Sequence, residues 1–267
     1  SRAKMITFIR LAGRRVCMPS LGAASACLTN TTIKQNLCNA DTQFKTMAAA
    51  VKKFKVDAVS TFADSTVEPE ACGCAITFPE NDHYPYITSH PVKTIEDIRR
   101  LKVPDPHKDG RMPVFVKTVK LLAEHFTMII GAGGLGPFTL AGELAGVETI
   151  ALKLRTDPNF VKKLLEYAVQ VIIPYQRALV DAGADIILLG EPLASILSPK
   201  FFEEFSKEYI AQVVDSINKP VCLHICGDAT RLVEKMCDTG VQSISLDSPV
   251  DLLDIMTRVP RDVIISG

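Results

Sequence analysis

The stretch 222–228 reads Cys-Leu-His-Ile-Cys-Gly-Asp and holds the residue types best suited to chemistry. Side chains alternate along an extended strand, so Cys222, His224 and Cys226 project from one face. His224 and Cys226 are two residues apart, about 7 Å between Cα atoms, within reach of one metal ion. Cys222 and Cys226 are about 13 Å apart, too far to share it easily. Imidazole with thiolate is a donor pair that suits zinc. Gly227 allows a sharp turn just after the strand. The competing reading is a strand whose Cys and His merely pack in a core. Two carboxylates stand at the ends of neighbouring apolar runs, Glu191 in "LLGEPLAS" and Asp247 in "SISLDSPV". Either suits ligation of a metal or orientation of a ligand, and each also suits capping of a loop.

Other motifs carry less. Gly131-Ala-Gly-Gly-Leu-Gly136 matches G-x-G-x-x-G, but no strand ending in an acid follows about 20 residues on, so a dinucleotide site is rejected. Small residues that allow close backbone approach are the preferred reading. Cys72 and Cys74 with His83 and His90 lack the two-residue spacing of a zinc knuckle. Cys17, Cys27, Cys38 and Cys237 show no pattern and are expected to be buried small hydrophobes.

The elements that would position His224 and Cys226 are short apolar runs alternating with helical patterns. Strands are expected at 16–20, 58–62, 127–131, 185–190, 220–226, 243–247 and 263–266, nearly continuously apolar as in parallel sheets covered on both faces. Helices are expected at 42–55, 112–125, 158–181, 199–217 and 230–239. Thr156-Asp-Pro158 is a helix-start signal. Gly183 and Gly240 fall where a helix gives way to a strand. Repeated units of this kind indicate a (β/α)8 TIM barrel, with sites at the C-terminal ends of its strands. Seven strands can be placed, so a final strand and helices are expected beyond Gly267. The chain reads as one barrel domain, 1–267, with a hairpin or lid region inserted at about 68–110.

The chain has 267 residues, 47% apolar, with 30 basic and 30 acidic side chains. That is enough for one large core, and with no block of like charge neither nucleic acid nor an anionic membrane is implied as a partner. The apolar stretch from Met5 is interrupted by Arg10, Arg14 and Arg15, unlike a signal peptide, and no run reaches membrane-span length. The eight cysteines read as reduced thiols of a cytoplasmic protein.

"LHICGDATRLVEKMCDTGVQSISLDSPVDL" resembles the zinc-binding segment of the methylcobamide:coenzyme M methyltransferases, within the uroporphyrinogen decarboxylase superfamily. "TFADSTVEPEACGCAITF", "GGLGPFTLAGELAGVE" and "AGADIILLGEPLASILSPKFFEEF" follow the same pattern in order, and the likeness runs from about residue 41 onward. The resemblance implies zinc held by His224, Cys226 and a later cysteine that would fall beyond Gly267. It implies activation of a substrate thiol for attack on a methylcorrinoid, or the reverse, demethylation of a methylated small molecule as in the related O-demethylase methyltransferases. No D-x-H-x-x-G corrinoid motif occurs, so methylcobalamin is expected on a separate corrinoid carrier protein.

Asp64, in "FADST", sits where the decarboxylases of this superfamily keep a catalytic aspartate in an "FSDIL"-like motif. A metal-free uroporphyrinogen decarboxylase is therefore the alternative. Its arginine-bearing "RQAGRY" segment is matched only in part by "RLAGRRVCMP". A non-catalytic corrinoid- or partner-binding barrel is the second alternative.

Overall fold

The computed structural model describes residues 13–267; residues 1–12, including the stretch from Met5 and Arg10 of "RLAGRRVCMP", lie outside the described residues. Eight strands are present among the described residues: β1 (Ala58–Ser60), β2 (Ala75–Thr77), β3 (Tyr86–Ser89), β4 (Ile129–Leu135), β5 (Ile186–Gly190), β6 (Val221–Ile225), β7 (Ser243–Leu246) and β8 (Ile264–Ser266). Six form one curled sheet, a half-barrel, in the order β1-β4-β5-β6-β7-β8, with every neighbouring pair parallel. β2 and β3 form a separate antiparallel hairpin.

Parallel pairing requires each strand to be followed by a crossover, and helices supply it. The longest, Pro158–Asp181, starts where Asp157 accepts the Phe160 N–H and Pro158 fills the first turn. Its apolar pairs Phe160/Val161 and Leu164/Leu165 recur at helical spacing, and all four are fully buried. Met112–His125 covers the sheet from a neighbouring position, packing Phe115, Val119 and Leu122 inward. Because every crossover returns the chain to the same edge, all six C-terminal strand ends meet at one end of the half-barrel. None of the described helices is long and apolar enough to cross a membrane.

Three expectations differ from what is found. Residues 16–20 form no strand; Cys17 alone of them is tied to the approach to β1, its carbonyl accepting from the Asp57 N–H at 3.0 Å and its N–H donating to Asp57 Oδ2 at 2.8 Å. The helix from Pro199 contains a π-helical turn over Glu203–Lys207 before Glu208–Asp215. Cys17, Cys27 and Cys38 are exposed and Cys237 only half-buried, because an isolated cysteine carries no signal of which face it takes.

The strand register sorts side chains onto two faces. Gly190, His224, Ser245 and Ser266 lie opposite one another across β5–β8 and share one face. The alternate residues Leu189, Leu223 and Ile244 are fully buried beneath the helices. The imidazole therefore points to the inner side of the curl, away from the helical layer.

Candidate metal centre

Two adjacent strands carry the same i, i+2 pattern at their ends: His224 and Cys226 on β6 and its exit, Ser245 and Asp247 on β7 and its exit. Parallel pairing of His224 with Ser245 brings these four side chains together. Donor atoms of His224, Cys226 and Asp247 all lie within 4.8 Å of one another, and each residue is half-buried. His224 Nε2 is 3.2 Å from Cys226 Sγ and 3.9 Å from Asp247 Oδ1.

The surroundings orient each donor. His224 Nδ1 is 3.2 Å from the Ser245 carbonyl and 3.1 Å from Ser245 Oγ. The carbonyl can only accept, so the Nδ1–H donates to it and Nε2 offers its lone pair to the cluster. Gly227 turns the chain at φ +71°, and its N–H donates to Asp247 Oδ2 at 2.7 Å, leaving Oδ1 toward His224. Burial, and then the negative charge of Asp247, push the Cys226 thiol above its ordinary pKa. A cation among the three donors would offset both influences.

The donor set fits such an ion. One nitrogen, one sulfur and one carboxylate oxygen are zinc-type ligands, and donor–donor edges in a tetrahedral zinc site are about 3.5 Å given its bond lengths. The separations around His224 Nε2 bracket that value. Gly190, opposite His224 on β5, has no side chain to cover the imidazole. Cys222, on the same face but deeper, has its Sγ 3.5 Å from Ser243 Oγ and stands apart from the cluster.

Glu191 does not face the mouth with these residues, as its position after β5 suggested. The backbone leaves the strand conformation there (φ −124°, ψ 48°) and the side chain turns beneath the helix Pro137–Ala145. Its carboxyl accepts from the Phe138 N–H at 2.6 Å and lies 3.4 Å from the Thr139 N–H. Free N–H groups at a helix start attract a carboxylate more strongly than an apolar wall does. The group is fully buried, and that burial raises its pKa to about 8 against the opposing effect of those bonds.

Asp64 is also placed apart from the cluster. Its Oδ1 accepts from the Thr66 N–H and Oγ1–H at 2.8 and 2.7 Å, and its Oδ2 pairs with Arg111 Nη1. Arg111 Nε also holds Glu70 at 2.7 Å. The Asp64 side chain is 1% exposed, so both oxygens are committed inside a buried ion-pair network. Neither Arg111 nor Ser245 was singled out from sequence. Ser245 had a usable signal, since it repeats the spacing of His224 one strand over, whereas Arg111 enters from a turn with no pattern.

The glycines of 131–136 explain themselves by contact. A Cβ at Gly134 would fall 1.9 Å from Glu68 Oε1, and one at Gly136 would fall 1.8 Å from Glu191 Oε2. They let two buried carboxyls approach the β4 backbone. Glu68 accepts the Leu135 N–H at 2.7 Å, and burial raises its pKa to about 7. The folded state therefore holds this proton more tightly than the unfolded chain, whose value is near 4.5. Its stabilising contribution is complete below about pH 4.5 and is lost as pH rises through about 7. Unfolding free energies of the wild type from urea titrations are expected to fall relative to Glu68→Gln across that window, by up to about 1.4 kcal/mol per pH unit. Parallel curves for the two proteins would contradict the assignment.

Comparison with known proteins agrees with this architecture. The family model for uroporphyrinogen decarboxylase (URO-D) matches residues 8–267. A methylcobamide:CoM methyltransferase of Methanosarcina acetivorans is 32% identical over 219 residues, 79% of this chain and 64% of its own length. The chain thus spans a little under two thirds of that relative. A uroporphyrinogen decarboxylase of Edwardsiella ictaluri is 30% identical over 246 residues, 86% of this chain and 68% of that protein. Among solved structures, a methyltransferase from Methanosarcina mazei superposes with a TM-score of 0.87 at 25% identity, covering 94% of this chain and 77% of that one. With the family model spanning nearly the whole sequence and the parallel half-barrel in place, the chain belongs to the uroporphyrinogen decarboxylase (URO-D) family.

Proposed function

We propose that the chain is a zinc-dependent methyltransferase, moving a methyl group between a corrinoid on a carrier protein and a small-molecule thiol or methylated substrate. The observation that carries this reading is the convergence of His224, Cys226 and Asp247 at the C-terminal ends of adjacent parallel strands, where barrel enzymes build their sites. The methylcobamide:CoM methyltransferase relatives supply the substrate classes.

In this proposal His224 Nε2, Cys226 Sγ and Asp247 Oδ1 hold the ion. Bound there, zinc would supply Lewis acidity that lowers the pKa of a substrate thiol, or withdraws charge from the heteroatom of a methylated substrate. Ser245 keeps the imidazole in the tautomer that leaves Nε2 free, and the Gly227 N–H keeps Asp247 Oδ1 aimed inward. The bare backbone at Gly190 leaves an approach to His224 from the β5 side. In this proposal the hairpin region at about 68–110 forms a wall or lid of a single barrel domain.

Decarboxylation is the less favoured reading. A carboxylate that must engage a tetrapyrrole has to be open to it, and both oxygens of Asp64 are occupied and buried. Purified protein is expected to contain about one zinc per chain by elemental analysis, and to demethylate methylcobalamin in a chelator-sensitive, zinc-restorable way. Metal-free protein with full activity would refute the proposal.

A further inference from the structure

We infer that Glu191 is a positioning residue for His224, holding the strand end that carries the imidazole without touching substrate or metal. This rests on the metal reading above only for one of its two readouts.

A chain of contacts runs through this one residue. The Glu191 N–H donates to the His224 carbonyl at 2.8 Å, which ties the exit of β5 to β6 at the imidazole-bearing residue. The Glu191 carboxyl is bound to the start of the nine-residue helix Pro137–Ala145 through the Phe138 and Thr139 N–H groups. Two further bonds close the same junction. The Gly136 N–H donates to the Gly190 carbonyl at 2.6 Å, and the Leu193 N–H donates to Thr139 Oγ1 at 3.2 Å. The exits of β4, β5 and β6 thereby meet at one fully buried residue, whose carboxyl holds the helix start after β4 and whose N–H holds β6.

An ordinary helix cap does not need this arrangement. A serine or asparagine satisfies the same N–H groups at lower cost than a carboxyl taken wholly out of water. Only a longer side chain rooted after β5 can reach the helix start while its own N–H still holds β6. The absence of a Cβ at Gly136 is what admits it. Loss of the carboxyl would leave the β5 exit held to the helix start only by the Gly136–Gly190 and Leu193–Thr139 bonds, and its shift would carry His224 with it through the Glu191 N–H. Partners that orient a metal-binding histidine affect affinity by about 10–100-fold.

The test compares Glu191→Ala, Glu191→Gln and a control, Ile210→Ala, which removes a fully buried side chain from the helix Glu208–Asp215. The first readout is the NMR shift of the His224 ring Cε1–H in metal-free protein, assigned against His224→Ala among the five histidines. The second is titration with Co(II), followed by its thiolate charge-transfer band. Glu191→Ala is expected to move the His224 resonance and weaken Co(II) binding at least about ten-fold. Glu191→Gln, which keeps an acceptor for Phe138 N–H, should restore both to within about three-fold of wild type on the same scale. An unmoved His224 resonance in folded Glu191→Ala would overturn the inference, as would an equal displacement in Ile210→Ala. If Glu191→Ala does not fold, failure of Glu191→Gln to keep the wild-type His224 resonance would also overturn it. Wild-type protein that binds no Co(II), yet shows the His224 shift in Glu191→Ala, would sink the metal reading and leave the positioning role standing.

Discussion

Replacing Cys226 with alanine is expected to abolish zinc binding at the proposed site, with affinity falling by about a hundred-fold or more. Outer partners of a metal site are worth about 10–100-fold, so loss of a ligand atom itself sets a larger floor. Cys226 Sγ is the sulfur of the three-donor cluster, 3.2 Å from His224 Nε2. Cys222 cannot take its place. It sits four residues deeper on the strand, is 2% exposed, and lies against Ser243. What remains in the variant is one imidazole and one carboxylate, a pair that holds zinc poorly. Cys222→Ala provides the matched comparison: it removes a thiol from the same face and should leave zinc content unchanged. Elemental analysis of both variants after gel filtration decides the matter. Stoichiometric zinc in Cys226→Ala, or its loss in Cys222→Ala, would show that the cluster has been misread.

The cluster was accessible from the sequence because it rests on period-two spacing in parallel strands. His224-x-Cys226 and Ser245-x-Asp247 obey the same alternation, and parallel register does the remainder. Strand ends are also where an apolar run stops, so Asp247 marks its own position. The two other acids show the limit of that logic. Glu191 occupies the equivalent place after β5, yet its side chain follows the helix start it can bond. Asp64 follows β1, yet it is claimed by Arg111, 47 residues away in sequence. In both cases the strand fixes the Cα, but a partner contributed by another element chooses the direction of the carboxyl. No spacing rule within one segment reports that partner. The helices were readable for a different reason. Pro158–Asp181 carries its cap, its first-turn proline and its apolar pairs within the element itself. Residues 16–20, Val-Cys-Met-Pro-Ser, offer a short apolar run ended by proline, which an irregular segment also supplies.

Methyl transfer and decarboxylation are expected to separate in how His224→Ala and Asp64→Asn rank. With zinc as the activating group, His224→Ala removes a ligand and the single-turnover rate with methylcobalamin should fall by at least about a hundred-fold. Asp64→Asn touches no donor of the cluster. It does remove one of the two charge partners of the nearly buried Arg111, which keeps Glu70, so it costs part of the about 3–5 kcal/mol lost when a buried charge is left unpaired. Its rate must therefore be expressed per folded molecule, with the folded fraction taken from denaturant curves. Expressed in that way, Asp64→Asn should lose less activity than His224→Ala, and chelator should abolish what remains until zinc is returned. A decarboxylase reverses every part of this. Its rate with uroporphyrinogen would survive chelation, would be indifferent to His224→Ala, and would collapse in Asp64→Asn even in the folded fraction. That pattern would require Arg111 to release Asp64 toward the cleft, which in turn would appear as an altered environment at Phe78, whose ring lies 5.2 Å from the guanidinium carbon. Retention of that contact alongside chelator-sensitive demethylation leaves the metal cluster as the seat of the chemistry.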